Sequence, residues 1–495
     1  MGFVPYTHLD LKNRDSQLQL TRALESLKEE LDVSPEFPPA VLEEARRMVA
    51  GQVLPARDLT ELGFITIDPQ GSTDLDQAVH LERLGDGYRV WYAIADVPSF
   101  VEPGGAIDLE ARRRGQTIYA PDGRISLHPE VIAEDAASLL PGQVRAAFVW
   151  ELELDPAANV VSTAVGRASV RSRAQLTYEE AQQDIDSGGA PENLALLKEI
   201  GLKRILLEKQ RGGASLNLPE QEIANDGDRY FIVSRPPLPA EDWNAQISLM
   251  TGMAAAGLMV KGRIGILRTM PPPDDSAVSR FRNQAKALGR PWPQDVPYGE
   301  FLRSLDTSNP TQLSLMHAAA SLFRGAGYTS FDGEVPEAIE QAAIAAPYAH
   351  TTAPLRRLVD RFVLVTCEAL CAGRQVPGWV REALPELNAL MSASNQLAAR
   401  MESGALDAVE TALLSNRVGE EFDAVVLTGS KPSNGSTSNN SSGNGTPFGM
   451  VQLLDPAVEG RCHGVMEAGA QVRVRLITAD IDKRQMRFEL AAAAR

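Results

Sequence analysis

The chain reads as an α+β protein, a mixed sheet surrounded by helices, with a small β-barrel at its end. Three observations predict this. Strand-like segments crowd residues 61 to 170, long helical patterns fill 178 to 414, and short strands return from 421 to 490. Strands first and helices afterwards is α+β order. Short strands separated by glycines predict a second, all-β unit. At 495 residues the chain is long enough for several domains.

Residues 1–60 form a helical segment in this reading. Ser16 to Glu30 carries Leu18, Leu20, Leu24 and Leu27 on a loose helical stripe. Pro38-Pro39 opens a second helix through Ala50, and Gly51 stops it. Such helices build either a helix-turn-helix-like module or a packing collar on the next domain, and the collar is favoured. In the domain at 61–415, Val79–Leu84 and Tyr88–Val97 flank Gly85-Asp86-Gly87, a hairpin signal. Arg145–Leu154 and Val160–Val170 form another strand pair across Asp155-Pro156. Helices are predicted at 178–211, 241–262, 275–289, 311–325, 354–373 and 388–414. In 416–495, strands Glu421–Leu427, Phe448–Leu453, Gln471–Thr478 and Gln485–Leu490 predict a five-stranded OB barrel. A Ser/Asn/Gly-rich loop, 430–446, interrupts it.

Hydrophobic content of 44% and charge of 23% are ordinary for a globular protein. No apolar run reaches the roughly 18 residues of a membrane span. The N-terminus lacks the basic-then-apolar order of a signal peptide, and a cytoplasmic location is expected. Cys367, Cys371 and Cys462 are too few for a disulfide scaffold and read as small core residues. The net charge of −17 counts against a nucleic-acid binder on its face. Net charge is global, however, and a basic channel can sit in an acidic protein. Arg112, Arg113 and Arg114 form one basic cluster, and Arg356, Arg357 and Arg361 another. Each alone reads more readily as a solvated face than as a phosphate site.

The most informative stretch is Thr66-Ile-Asp-Pro-Gln-Gly-Ser-Thr-Asp-Leu-Asp-Gln-Ala78. It sets Asp68, Asp74 and Asp76 among apolar residues, where carboxylates need a partner or a cation. Three converging acids would make a hard-oxygen site for Mg²⁺ or Mn²⁺. The spacing alone leaves a solvated Asp-rich turn equally open.

The wording of this stretch resembles the catalytic signature of the ribonuclease II / ribonuclease R family, hydrolytic exoribonucleases sharing the RNB domain. That signature reads approximately T-I-D-x-x-x-x-x-D-x-D-D-A. The chain departs at one acid, with Gln77 where the family has an Asp. Tyr348-Ala-His-Thr-Thr-Ala-Pro-Leu-Arg-Arg-Leu-Val-Asp360 resembles a second family segment, Y-x-H-F-T-S-P-I-R-R-Y-x-D. Independently of the family, Pro354 can start a helix whose free N–H groups suit a phosphate. Arg356 would add a planar fork for its oxygens. The competing reading pairs Arg356 and Arg357 with Asp360 on an ordinary helix face.

Weaker matches keep the same register. Ala93-Ile-Ala-Asp-Val97, Arg114-Gly-Gln-Thr-Ile-Tyr119, Ala174-Gln-Leu-Thr-Tyr178 and Leu216-Asn-Leu-Pro-Glu220 each resemble a family segment. The resemblance implies that Tyr119 holds RNA near its 3′ end and that Tyr178 contacts the ribose. Core or strand-end packing competes for both. Leu216 stands where the family stacks a Phe, and stacking worth about 1–3 kcal/mol is forgone. Gln246, Ile247 and Met253 stand near the family's Glu-Glu pair and Asn. The resemblance further implies hydrolysis of single-stranded RNA from the 3′ end to 5′-mononucleotides, with processive movement. Asp68, Asp74, Asp76 and Gln77 would be metal ligands, Asp76, Asp74 and Arg356 the catalytic set, and His350, Thr352 and Arg357 further RNA contacts. Mg²⁺ is the expected cofactor, with Mn²⁺ as alternative. The first 60 residues are too short and too helical for the family's cold-shock domains. A monomer without an obligatory protein partner is expected. Gln77 keeps an oxygen but loses a charge, so weakened metal binding, a substitute acid, and an inactive RNA binder all stay open.

Overall fold

The computed structural model describes residues 9–10, 14–214, 220–225, 230–235, 237–306, 309–320, 322, 324–430, 447–454 and 458–491. Between residues 60 and 178 the strands are β1 (Phe64–Asp68), β2 (Gln77–Leu84), β3 (Gly87–Ala95), β4 (Ile118–Ala120), β5 (Gly123–Ile125), β6 (Val144–Leu154) and β7 (Val160–Thr177). The hairpins across Gly85-Asp86 and across Asp155-Pro156 form as the turn residues predict.

Strands β1-β2-β3-β6-β7 form the expected mixed sheet, with one parallel pair among antiparallel ones, and it closes into a barrel. The reason lies in β7, which runs on past Val170 to Thr177. Its first part pairs with β6, and Ser172–Thr177 then pairs in parallel with β1. One long strand therefore closes the barrel and removes its edges. It also places Thr177 beside Asp68, at the C-terminal ends of both strands. Strand β3 is buried at nearly every position, because side chains pack on both of its faces.

The helices that matter for the site are α1 (Arg14–Glu30), α2 (Pro39–Ala50), α3 (Ala106–Arg114), α4 (Tyr178–Asp186), α5 (Glu192–Arg211), α6 (Pro239–Gly262), α7 (Leu358–Cys371) and α8 (Gly378–Leu414). The single helix expected at 178–211 is two, broken where Gly188, Gly189 and Pro191 stand. Helix α8 starts earlier than expected and runs through Pro385, because Val380, Leu384 and Leu387 are core residues. Helix α1 buries Leu20, Leu24 and Leu27 with Ile118 and Ile125 of the β4–β5 hairpin and with Met401 and Ala405 of α8. Leu18, expected on the same stripe, is exposed. Helix α2 buries Val41 and Ala45 in a different cluster, with Phe64, Val97 and Ile107. The two helices thus pack apart, α1 on the β4–β5 hairpin and α8, and α2 on the first barrel and α3.

At the C-terminus, β8 (Glu421–Thr428), β9 (Phe448–Leu453), β10 (Glu459–His463), β11 (Gln471–Asp480) and β12 (Gln485–Leu490) close in the order β8-β9-β10-β12-β11. The parallel β10–β12 pair and this order are those of an OB barrel. Its core holds Phe422, Val451, Cys462, Val474 and Phe488. Cys367 and Cys462 are buried, Cys371 is exposed, and all are free thiols. Among the described residues no helix is long and apolar enough to cross a membrane.

Candidate active site

Asp76 lies at the mouth of the first barrel, directly before β2. Its carbonyl accepts the Ala95 N–H at 2.9 Å, which ties the backbone to β3. Its carboxylate is 5% exposed. Oδ1 accepts the Leu355 N–H at 2.7 Å, across 279 residues of sequence, and Oδ2 lies 3.6 Å from Arg356 Nε. Burial drives the Asp76 carboxyl well above the usual range, and Arg356 and the Leu355 N–H oppose it. The two most specific sequence segments therefore meet at one carboxylate.

The segment before α7 is built to present Arg356. Asp360, in the first turn of α7, accepts the Ala353 N–H at 2.7 Å and grips Arg357 at 2.9 and 3.0 Å. Gly115 and Thr117 bind the backbone of Leu358 and Arg356 from outside. Each arginine of the expected cluster thus has its own acid: Arg356 faces Asp76, Arg357 pairs with Asp360, and Arg361 pairs with Asp108. The expected helix start at Pro354 is corrected here. Pro354 to Arg356 form a turn, and Arg357 caps a helix that begins at Leu358. What this segment exposes is then the Arg356 side chain, 43% exposed, rather than the first turn of a helix. In the other cluster, Arg112 pairs with Asp108, while Arg113 and Arg114 both pair with Glu110. Arg114 is buried, while Arg113 stays exposed.

Asp68, at the end of β1, has its Oδ2 buried with no hydrogen-bond partner. Burial first, and Asp74 second, push its carboxyl up to about 7. Asp74 Oδ1 instead takes an ion pair with Arg124 at 2.6 Å. Gln77 Oε1 accepts a hydrogen bond from the Tyr92 hydroxyl. Among the described residues no three His, Cys, Asp or Glu side chains converge to hold a metal. Of the four expected ligands, Asp68 keeps an unpartnered Oδ2, Asp76 faces Arg356 and the Leu355 N–H, Asp74 pairs with Arg124 and Gln77 accepts from Tyr92. A buried carboxylate oxygen without a partner, on a chain segment with further carboxylates, is a donor that fits a hard divalent cation.

Tyrosines ring the acids. Thr177 and Glu180 form a reciprocal capping box that starts α4 at Tyr178. The Tyr178 hydroxyl meets Asn244 Nδ2 at 3.3 Å. Its pKa is raised by burial and by Asp68, so it lies on the Asp68 side. Tyr119, on β4, is 54% exposed, and partial burial and Asp74 raise its hydroxyl to about 12. Three residues expected to touch RNA also hydrogen-bond within the chain. His350 Nδ1 is 2.8 Å from the Tyr328 hydroxyl, Thr352 is 2.7 Å from Ser248 Oγ, and Arg357 holds Asp360. Burial and neighbouring arginines keep His350 neutral. These three shape the Arg356 segment. Leu216 lies outside the described residues. Gln246 Nε2 donates to Glu208 Oε2 at 2.6 Å, so an acid from α5 reaches that face, while Ile247 is core.

The structure adds Arg124 and Tyr92, which sequence reasoning missed. Arg124 had a readable signal. Pro121-Asp122-Gly123 marks a tight hairpin, and its register sets Arg124 directly opposite Tyr119. Tyr92 had none, since a Tyr on a buried strand looks like core.

The RNB domain family model matches residues 56–372, which include every acid and arginine of this site. The chain belongs to the RNB family. The model of the RNase II-type exonuclease C-terminal S1 domain matches residues 420–491, the second barrel. Ribonuclease R of Aquifex aeolicus (strain VF5) is 27% identical over 482 residues, covering 88% of this chain and 64% of that protein. The probable exosome complex exonuclease RRP44 of Caenorhabditis elegans is 29% identical over 327 residues, covering 63% of this chain and 34% of that protein, so the chain spans only part of the length of these curated relatives. Mycoplasma genitalium RNase R in complex with ribose-methylated single-stranded RNA superposes with TM-score 0.79 at 18% identity, covering 96% of this chain and 78% of that one. Yeast Ssd1, a pseudonuclease, superposes with TM-score 0.68 at 18% identity, covering 90% and 56%. At these identities the structures share the RNB fold with this chain.

Proposed function

We propose that this RNB protein is a metal-dependent 3′→5′ exoribonuclease that hydrolyses single-stranded RNA to 5′-mononucleotides. One observation carries the reading: Arg356 and the Leu355 N–H converge on the buried Asp76, and Asp68, on the same segment, keeps a buried oxygen without a hydrogen-bond partner. Mg²⁺ or Mn²⁺ held by Asp68 and Asp76 would supply a Lewis acid and an activated water. The remaining work falls to the chain. Water adds to phosphorus and the P–O3′ bond breaks, leaving the phosphate on the released nucleotide. Charge builds on the non-bridging oxygens, where the half-exposed Arg356 fork can accept it. Tyr119 offers an exposed ring face to a base. Tyr178 offers a hydroxyl to the ribose edge, the group that separates RNA from DNA. The RNA-bound state of the Mycoplasma protein supports the substrate class.

The test is uniformly labelled single-stranded RNA incubated with the protein and Mg²⁺ or Mn²⁺. Mononucleotides should appear, and Asp76→Asn should abolish them while RNA is retained. Arg356→Ala should lower turnover by about 10²–10³-fold, as loss of a charge-stabilising donor does. A second reading, an RNA-binding protein without cleavage, draws on Gln77 bonding Tyr92 and Asp74 bonding Arg124. It predicts RNA retention that chelator does not alter and no product from either wild type or Asp76→Asn.

A further inference from the structure

Arg124 is the site's second arginine, and the function proposed above leaves it without a task. It stands on β5, opposite Tyr119, and reaches three groups at once. Its Nη1 donates to Asp74 Oδ1 at 2.6 Å. Its Nη2 donates to Thr73 Oγ1 at 2.6 Å and lies 2.5 Å from Glu134 Oε1. Thr73 closes the ring by donating to Glu134 Oε2 at 2.7 Å. The Arg124 side chain is 26% exposed and that of Asp74 is 14% exposed, so solvent screens this pair only partly. Short, charge-assisted, multiply bonded and half sheltered, it differs from the ordinary surface ion pair worth little.

The position of that charge matters for a cation. Asp74 stands two residues before Asp76, on the loop that joins it to Asp68 at the end of β1. Its negative charge would otherwise favour a divalent ion at those two carboxylates. Arg124 neutralises it and places a fixed positive charge on the same side. Gln77 supplies no charge to compensate.

We propose that Arg124 is a positioning residue that competes with the divalent cation for Asp74 and so sets the metal affinity of the site. The inference rests on the metal-dependent reading above. Binding of the ion draws Asp74 off Arg124, and Glu134 keeps the released guanidinium at the rim. Glu134 therefore acts in favour of the metal, through Arg124. No proton or covalent bond changes hands; one carboxylate exchanges its cationic partner.

The test is Mn²⁺ binding to the full chain without RNA, followed by the electron paramagnetic resonance of free Mn²⁺ at fixed pH and ionic strength. Arg124→Met should bind Mn²⁺ about tenfold tighter than wild type. Arg124→Lys, which keeps the charge but not the fork, should fall between them. Glu134→Gln should bind several-fold more weakly, yet change little when made in the Arg124→Met background, because its effect runs through Arg124. A structural role for Arg124 would give the opposite sign, with Arg124→Met binding more weakly. Equal or weaker binding by a folded Arg124→Met protein overturns the inference. Should that variant not fold, Arg124→Lys binding no tighter than wild type overturns it equally. Absence of Mn²⁺ binding in wild type and all variants defeats the metal-site reading itself, and this inference with it.

Discussion

Gln77 shows how one residue tunes a site without belonging to it in the expected way. Its amide oxygen accepts a hydrogen bond from Tyr92, and its side chain brings no charge. Gln77→Asp would add a carboxylate near Asp68 and lose the Tyr92 bond. Metal-free stability should fall by about 1–2 kcal/mol, from a lost hydrogen bond and added like-charge repulsion. Mn²⁺ should recover it, because the added charge then faces a cation. Melts with EDTA and with Mn²⁺ check this; a variant as stable as wild type in both would contradict it. His128 makes a second prediction. It is buried behind the Arg356 turn, next to the Pro354 backbone, and burial holds its pKa down at about 3. The unfolded chain binds its proton near pH 6.5 and the folded chain does not. Its contribution to stability is therefore complete above about pH 6.5 and is lost as the pH falls toward 3. His128→Gln should flatten the acid limb of stability over that window, read by circular dichroism. An unchanged slope would show that other groups govern acid unfolding.

At the scale of elements, the site is two loops clamped by strand ends and helix starts. Helix α6 supplies the clamp for the second loop. A Cβ at Gly252 would lie 2.2 Å from Tyr348 Cε2 and 2.6 Å from the Ala349 carbonyl oxygen. The absent side chain lets the Tyr348–Arg357 segment approach the helix, and the Ala349 N–H then reaches the Gly252 carbonyl at 3.1 Å. Gly252→Ala should destabilise by about 1–3 kcal/mol through overpacking. It should also lower RNA hydrolysis, because the shift passes to Arg356. Urea unfolding and turnover together test this, and a variant normal in both would refute the close-approach argument. The β4–β5 hairpin is the matching clamp for the first loop, carrying Tyr119 and Arg124 over Asp74.

At the scale of the molecule, the N-terminal helix ties the hairpin to the C-terminal barrel. Lys28 pairs with Asp122 in the hairpin turn at 2.5 Å, and Glu30 pairs with Arg484 of the barrel at 2.5 Å. Between these charges the apolar stripe of α1 is buried with Ile118, Ile125 and Ile481. Leu24→Ala should cost about 2–4 kcal/mol, the range for a buried leucine truncated to a cavity. Because the hairpin holds Arg124 against Asp74, the same change should also shift Mn²⁺ affinity. Denaturation and metal titration of one sample separate these effects. A loss of stability with unaltered Mn²⁺ binding would limit α1 to a packing role.

Much of this was legible in the chain itself. Turn residues and alternation marked the hairpins, helical stripes and proline starts marked the helices, and glycine-punctuated strands marked the OB barrel. The Thr66–Ala78 and Tyr348–Asp360 segments named the site residues and the family, because chemistry at a phosphate needs particular side chains in a particular order. Those signals are local, readable over one turn or one strand. What tertiary structure alone decided is which carboxylate faces which cation. Closure by the long β7 set Tyr178 beside Asp68, and the turn at Pro354 split Arg356 from Arg357. The hairpin delivered Arg124 to Asp74, and β3 delivered Tyr92 to Gln77. Ion pairs and buried hydrogen bonds depend on distances of a few ångströms between residues far apart in sequence, and spacing along the chain carries no information about those distances.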